Sequence, residues 1–278
     1  LFPASGLDLV VLTETLLTRS NDPAAPERAV ALEGPVLERM GAQARRNRTY
    51  LVVPMMLAEE DGRASNAAVL LDRSGQVAGI YRKAHPVIDW GTDVVEGGVA
   101  PGTGFPVFEA DFGRLGVLIC WDAVYEDGWE ALAGKGAEIV AFPSAAPHVA
   151  RPAMHALRGG YWVVSSTPLN NASIFNPLGM VHAQITSGRV LVQEIDLASA
   201  AVHWAPGLDE GRGLTERFGD RVGYVYYESE ATGLFWSNDP QTTISEMVAE
   251  AGFMEMAPYV ERNREAQDAA RGGPLRDE

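Results

Sequence analysis

Apolar positions in this chain fall into short unbroken runs separated by stretches with helical spacing. Leu7–Leu12, Tyr50–Val53 and Ala137–Phe142 each read as a strand, and runs without a polar face suit a sheet covered on both sides. Asn66–Asp72 and Gln76–Tyr81 flank Arg73-Ser74-Gly75, which is the pattern of a hairpin with a short glycine-containing turn. Phe105–Asp111 and Arg114–Cys120 repeat that pattern about Phe112-Gly113. Tyr161–Ser166, Ala172–Phe175, Met180–Ile185 and Arg189–Ile195 are further predicted strands. Between the runs, Leu32, Val36, Leu37, Met40 and Ala44 mark a helix over Val30–Arg46, and Trp129, Leu132 and Ala133 mark one that Gly134 and Gly136 should end. A further short helix is expected over Pro152–Arg158. Paired strands separated by helices predict an α/β fold.

Two stretches break the alternation. Pro86 to Pro106 holds five glycines between its prolines and reads as a long loop, of the kind that often covers a site, whereas Asn21–Pro26 is an ordinary short one. Beyond Ala205 the chain becomes rich in glycine and charge, with a helical fragment at Leu214–Phe218, a strand at Tyr224–Tyr227 and a helix opened by Thr242 and Thr243 and stopped at Gly252. The tail from Val260 to Glu278 is dominated by Arg, Glu, Asp and Ala, so it is expected either to fray or to lie across a partner subunit.

Composition narrows the function. Lys and Arg total 22 against 37 Asp and Glu, a net charge of -15, which would repel a phosphate backbone and argues against nucleic acid. The single cysteine excludes an intrachain disulfide and a C-x-x-C metal site. No stretch reaches the roughly 18 apolar residues of a membrane span, and Leu1–Gly6 lacks a basic signal start, so the expectation is a soluble cytoplasmic protein without membrane partners.

That cysteine stands where chemistry is feasible. Arg114–Cys120 is a strand, and the helix marked by Trp129 follows it, so Cys120 lies at a strand-to-helix turn whose free backbone N–H groups can lower a thiol pKa and hold an oxyanion. Taken alone, a cysteine after Val-Leu-Ile is more often an inert core residue. Glu14 follows the first strand and Lys83 the end of a hairpin, although acids and lysines at such places commonly just face solvent. The acidic turn Glu59-Glu60-Asp61-Gly62 is read as a solvated surface, with Glu59 within reach of a site rim.

Leu12-Thr-Glu14, Tyr81-Arg-Lys-Ala-His85 and Leu118-Ile-Cys-Trp-Asp122, in this order and at this spacing, resemble the three signature segments of the nitrilase, or carbon–nitrogen hydrolase, superfamily. Ser65–Asp72, Pro101-Gly102, Phe105–Phe108, Asp111–Arg114 and Gly136–Val140 support the likeness, which runs to about Leu197. The resemblance implies a four-layer αββα sandwich and a Glu14–Lys83–Cys120 triad that needs no metal or other cofactor. It also implies a homodimer or larger homo-oligomer, and a strand and helix ahead of Leu7, so that either an end is missing or the sheet is completed differently. Where many members have Pro-Glu after the nucleophile, this chain has Glu126-Asp127, making Asp127 the expected support for the lysine. Leu157-Arg-Gly-Gly160 replaces the usual Ala-x-Glu-Asn. Trp121, Tyr125, Asp127 and His148 are the remaining candidates for substrate contact.

The implied chemistry is cleavage of a non-peptide C–N bond in a small amide or carbamoyl compound through a Cys120 thioester. A nitrile substrate, acyl transfer and a catalytically silent scaffold of the same fold are the alternatives. The expected division is a hydrolase domain over 1–204 and an oligomer-contacting extension over 205–278.

Overall fold

The computed structural model describes residues 6–14, 16–17, 24–167 and 171–275. Part of the loop read at Asn21–Pro26 lies outside them. The chain forms two compact units, one up to Gln193 and the other from Glu194. The first holds β1 (Leu9–Val11), α1 (Ala25–Arg28), α2 (Pro35–Asn47), β2 (Tyr50–Ala58), β3 (Ala64–Leu71), β4 (Val77–Arg82), β5 (Val107–Ala110) and β6 (Gly113–Val117). It continues with α3 (Asp127–Gly134), β7 (Ile139–Pro143), α4 (Ala150–Gly159), β8 (Trp162–Ser166), β9 (Ser173–Phe175) and β10 (Val181–Gln184).

Two sheets are built from these strands, in the orders β1-β2-β3-β4 and β10-β9-β8-β7-β6-β5. Their contact is visible where β1 meets β7 and β8, and where Gly79 of β4 leaves room for the Phe108 ring of β5, which a Cβ would approach to 2.2 Å. Every residue of β2 except Ala58 is buried, as is all of β3. Both faces of these strands are therefore covered, which is why their sequences are continuously apolar. Leu51, Val53, Met55 and Leu57 share one core with Leu37 and Ala44 of α2. On the other sheet, Gly116 of β6 sits against Leu132 of α3, and α4 packs on β8 and β9. The layers are helix, sheet, sheet, helix, an αββα sandwich.

Helix α2 begins at Pro35 rather than Val30, because Gly34 adopts φ 151° and proline supplies a preset first turn; Val30 instead bridges to Leu57. Gly41 on this helix touches the β3–β4 turn so closely that a Cβ would lie 2.5 Å from the Gly75 carbonyl oxygen. The strand expected at Arg189–Ile195 does not form: Val190 and Val192 are exposed, and β10 is the last strand of its sheet.

The second unit is a three-stranded sheet, β11 (Ala200–His203), β12 (Val222–Tyr227) and β13 (Thr232–Ser237), in the order β11-β13-β12, with α5 (Arg212–Phe218), α6 (Ile244–Glu250) and α7 (Met256–Arg271). Its own core includes Val202, Leu214, Phe235 and Met247. Thr243 caps α6 by accepting from the Glu246 N–H, in a capping box. Strand β11 precedes the boundary expected at 204/205 but pairs with β13. The charged tail is helical in α7, and none of that helix's residues is buried. Among the described residues no helix is long and apolar enough to cross a membrane.

Candidate active site

Glu14, Lys83 and Cys120 reach one place from the two facing sheets. Glu14 follows β1, Lys83 follows β4, and Cys120 opens a short 3₁₀ turn, Cys120–Val124, after β6. They are 4%, 2% and 7% exposed, so the charges among them act in a poorly screened interior. The Lys83 ammonium donates to Glu14 Oε1 at 3.0 Å and to Glu96 Oε1. Burial works against the ammonium, but Glu14 and Glu96 outweigh it and hold its pKa above the ordinary lysine value. Glu14 Oε2 accepts the Ala145 N–H at 2.6 Å, so the carboxylate is fixed at both oxygens.

Burial is also the largest influence on the Cys120 thiol, and with the neighbouring Glu14 carboxylate it raises the pKa to about 11, against opposing effects of Lys83 and the Ser144 hydroxyl. The turn does not deliver a preformed thiolate, contrary to the expectation from its backbone N–H groups. It delivers a neutral thiol beside a carboxylate able to take its proton. Cys120 has φ 47°, a left-handed conformation that costs a non-glycine residue on the order of 1–3 kcal/mol.

Two further groups complete the cluster. Glu96 comes from the loop at 86–106, which folds into a small hairpin with Ile88 bridged to Val95 and the Glu96 N–H on the Val87 carbonyl. Asn66, in β3, donates from Nδ2 to Glu14 Oε1 and to Glu96 Oε2, both at 2.9 Å. A single amide thus spans the two carboxylates that share the lysine. Glu96 had no signal beyond being an acid in a glycine-rich loop after the lysine; Asn66 was visible as the lone amide in an apolar strand.

Of the remaining candidates only His148 is seen to interact with the triad. Asp127 is exposed and pairs with His85 Nε2 at 3.3 Å, so the second carboxylate on the lysine is Glu96 and not Asp127. Tyr125 stacks on the His85 ring at 4.1 Å, and Trp121 is 37% exposed. His148 is close enough to feel Glu14 and Lys83; its pKa is lowered, chiefly by burial and then by Arg151, and its buried Nε2 has no partner. Glu59 accepts from Arg82 and Ser65, the neighbours of Lys83 and Asn66 in the chain. Among the described residues no cluster of His, Cys, Asp and Glu is arranged to hold a metal.

The family model for carbon–nitrogen hydrolases matches residues 3–202. The chain belongs to the carbon–nitrogen hydrolase family. Within that family it is 38% identical over 98 residues to a citrullinase of Francisella tularensis, covering 34% of each chain. It is 37% identical over 97 residues to an N-carbamoylputrescine amidase of Arabidopsis thaliana, covering 34% of this chain and 32% of that one. The alignments thus span about a third of the length of these two relatives. A carbon–nitrogen hydrolase structure from Helicobacter pylori G27 superposes with a TM-score of 0.54 at 23% identity, over 64% of this chain and 73% of that one, and shares the fold.

Proposed function

We propose that this chain is a thiol hydrolase that cleaves the C–N bond of a small amide or carbamoyl compound through a thioester on Cys120. The observation that carries the reading is the buried Glu14–Lys83 ion pair beside a strained cysteine whose thiol stays protonated at neutral pH. Such a cysteine needs a base, and Glu14 supports that role. As Sγ attacks the carbonyl carbon, Glu14 takes the thiol proton and Lys83 stabilises the negative charge gathering on oxygen. The tetrahedral intermediate collapses with the C–N bond breaking, and Glu14 returns the proton to the departing ammonia or amine. Water then attacks the thioester with Glu14 again as base, releasing the acid and restoring the thiol. Glu96 and Asn66 hold the lysine and the base in register.

The names of the two relatives favour a carbamoyl substrate, and the unpartnered His148 Nε2 is a candidate contact for it. The enzyme is read as cytoplasmic, and as a homodimer or larger assembly in which the wholly unburied α7 meets a neighbouring subunit. The test is a panel of amides, N-carbamoyl amines, N-carbamoyl amino acids and nitriles assayed for ammonia release, with the thioester trapped on the Cys120 peptide by mass spectrometry. Release that survives Cys120→Ala would overturn the thioester mechanism, and a panel that yields neither ammonia nor adduct would replace the hydrolase by a silent scaffold.

A further inference from the structure

Lys83 and Cys120 lie on opposite sheets, yet the attack requires them to stay in register. The group that joins their segments is a buried carboxylate outside the triad. Asp122, 1% exposed, receives four hydrogen bonds. Its Oδ2 accepts the Tyr81 hydroxyl at 2.7 Å and the Ile119 N–H at 2.8 Å. Its Oδ1 accepts the His85 backbone N–H and Nδ1, both at 3.0 Å. Tyr81 and His85 stand two residues either side of Lys83, and Ile119 immediately precedes Cys120. The Asp122 N–H also returns to the Ile119 carbonyl at 3.0 Å, closing the turn around the left-handed cysteine. From behind, the Trp129 indole donates to the Asp122 carbonyl at 3.1 Å.

We propose that Asp122 is a positioning residue that locks the cysteine turn to the lysine-bearing strand end, with Tyr81 and His85 as the donors that make the lock. This rests on the thiol-hydrolase reading and adds to it a residue that touches no substrate. Each half of the carboxylate does different work. Oδ2 ties Ile119 to Tyr81, and so sets the distance between the two sheets at the site. Oδ1 takes both donors of His85, and so fixes the exit of the chain from Lys83. Facing His85 are Asp122 on Nδ1, Asp127 on Nε2, the stacked ring of Tyr125 and, at 6.1 Å, the ring of Phe105. The ring is thus held flat with Nδ1 toward the buried oxygen. A position beside the nucleophile does not by itself imply this role; the three donors flanking Lys83 do.

The probe is iodoacetamide, a small amide that alkylates the single cysteine and needs no known substrate. Labelling followed by mass spectrometry against reagent concentration yields a saturating rate and a half-saturating concentration. Asp122→Asn places an amide nitrogen against two of the four donors. It is expected to lower the saturating rate at least tenfold while the half-saturating concentration moves less than about threefold, the mark of misplaced reacting groups rather than a lost pocket. His85→Phe keeps the stack on Tyr125 and loses the side-chain donor, whereas His85→Asn sets an amide nitrogen near the Nδ1 position; the first should slow labelling and the second restore most of it. Should Asp122→Asn not fold, Tyr81→Phe and the His85 pair decide, since each leaves the carboxylate in place. Wild-type labelling rates in a folded Asp122→Asn, or equal rates in His85→Phe and His85→Asn, would overturn the lock and leave the hydrolase reading intact. Wild-type Cys120 that labels without saturation would overturn both, and is read on the wild type alone.

Discussion

Replacing Glu14 by Gln should make the Cys120 thiol more acidic while nearly abolishing turnover, an opposition that a preformed thiolate pair would not produce. In the folded chain the thiol pKa is raised from 9.0 to about 11, by burial first and by Glu14 second, with Lys83 and Ser144 acting the other way. At pH 7 that leaves about one thiol in 10⁴ ionised, against about one in 100 for a thiol at the unshifted value. Gln removes the negative neighbour and leaves Lys83. Two unit charges roughly 5 Å apart at an effective dielectric of about 20 interact by about 3 kcal/mol, or about 2 pKa units. The midpoint should therefore fall to about 9, and burial should keep it from falling further. Because the chain has one cysteine, a ¹³Cβ-labelled sample gives a single resonance whose shift against pH reads this midpoint directly, free of interference from tyrosine. Ammonia release by the same variant should drop about 10²–10⁴-fold, the worth of a general base. A wild-type midpoint below about 8, or a midpoint that rises in Glu14→Gln, would refute the general-base account.

Lys83→Ala should cost at least a hundredfold in turnover, about 3 kcal/mol of oxyanion stabilisation, measured on whichever panel compound proves to be a substrate. Asn66→Ala removes two hydrogen bonds to carboxylates, one buried (Glu14) and one partly buried (Glu96), each worth about 1.5–3 kcal/mol, and should lower the denaturant midpoint as well as kcat. The His85 pKa is raised, chiefly by its hydrogen bond to Asp122. A raised pKa adds stability in full below the unfolded value near 6.5 that is lost as pH rises through the folded value, so His85→Phe should flatten the fall in melting temperature as pH rises above about 6.5 relative to wild type. Gly41→Ala meets the Gly75 backbone and should destabilise by about 1–3 kcal/mol in thermal melts without changing kcat per folded molecule. Ending the chain at Glu255 should reduce the mass seen by light scattering if α7 is interfacial, and unchanged mass would remove it from the interface.

The sheets, and the three short segments that carry Glu14, Lys83 and Cys120, were legible in the sequence because each depends on residues close together along the chain. Unbroken apolar runs such as Tyr50–Val53 suit strands covered on both faces, although β2 runs on through Pro54 to Ala58, and Glu14, Lys83 and Cys120 each stand at or just past the end of a predicted strand. What the sequence could not determine depends on which side chains meet across the two sheets and the loop. Asp127 stands near the position from which family members support the lysine, yet it turns to His85, and Glu96 arrives from a hairpin that no periodicity marks. The strand read at Arg189–Ile195 had the right residues and no neighbour to pair with. The thiol's acidity reversed for the same cause. A strand-to-helix turn promises backbone N–H groups that lower a pKa, but the net effect is a sum over burial, Glu14, Lys83 and Ser144. Those four influences come from distant parts of the chain, and only the tertiary structure brings them to one sulfur.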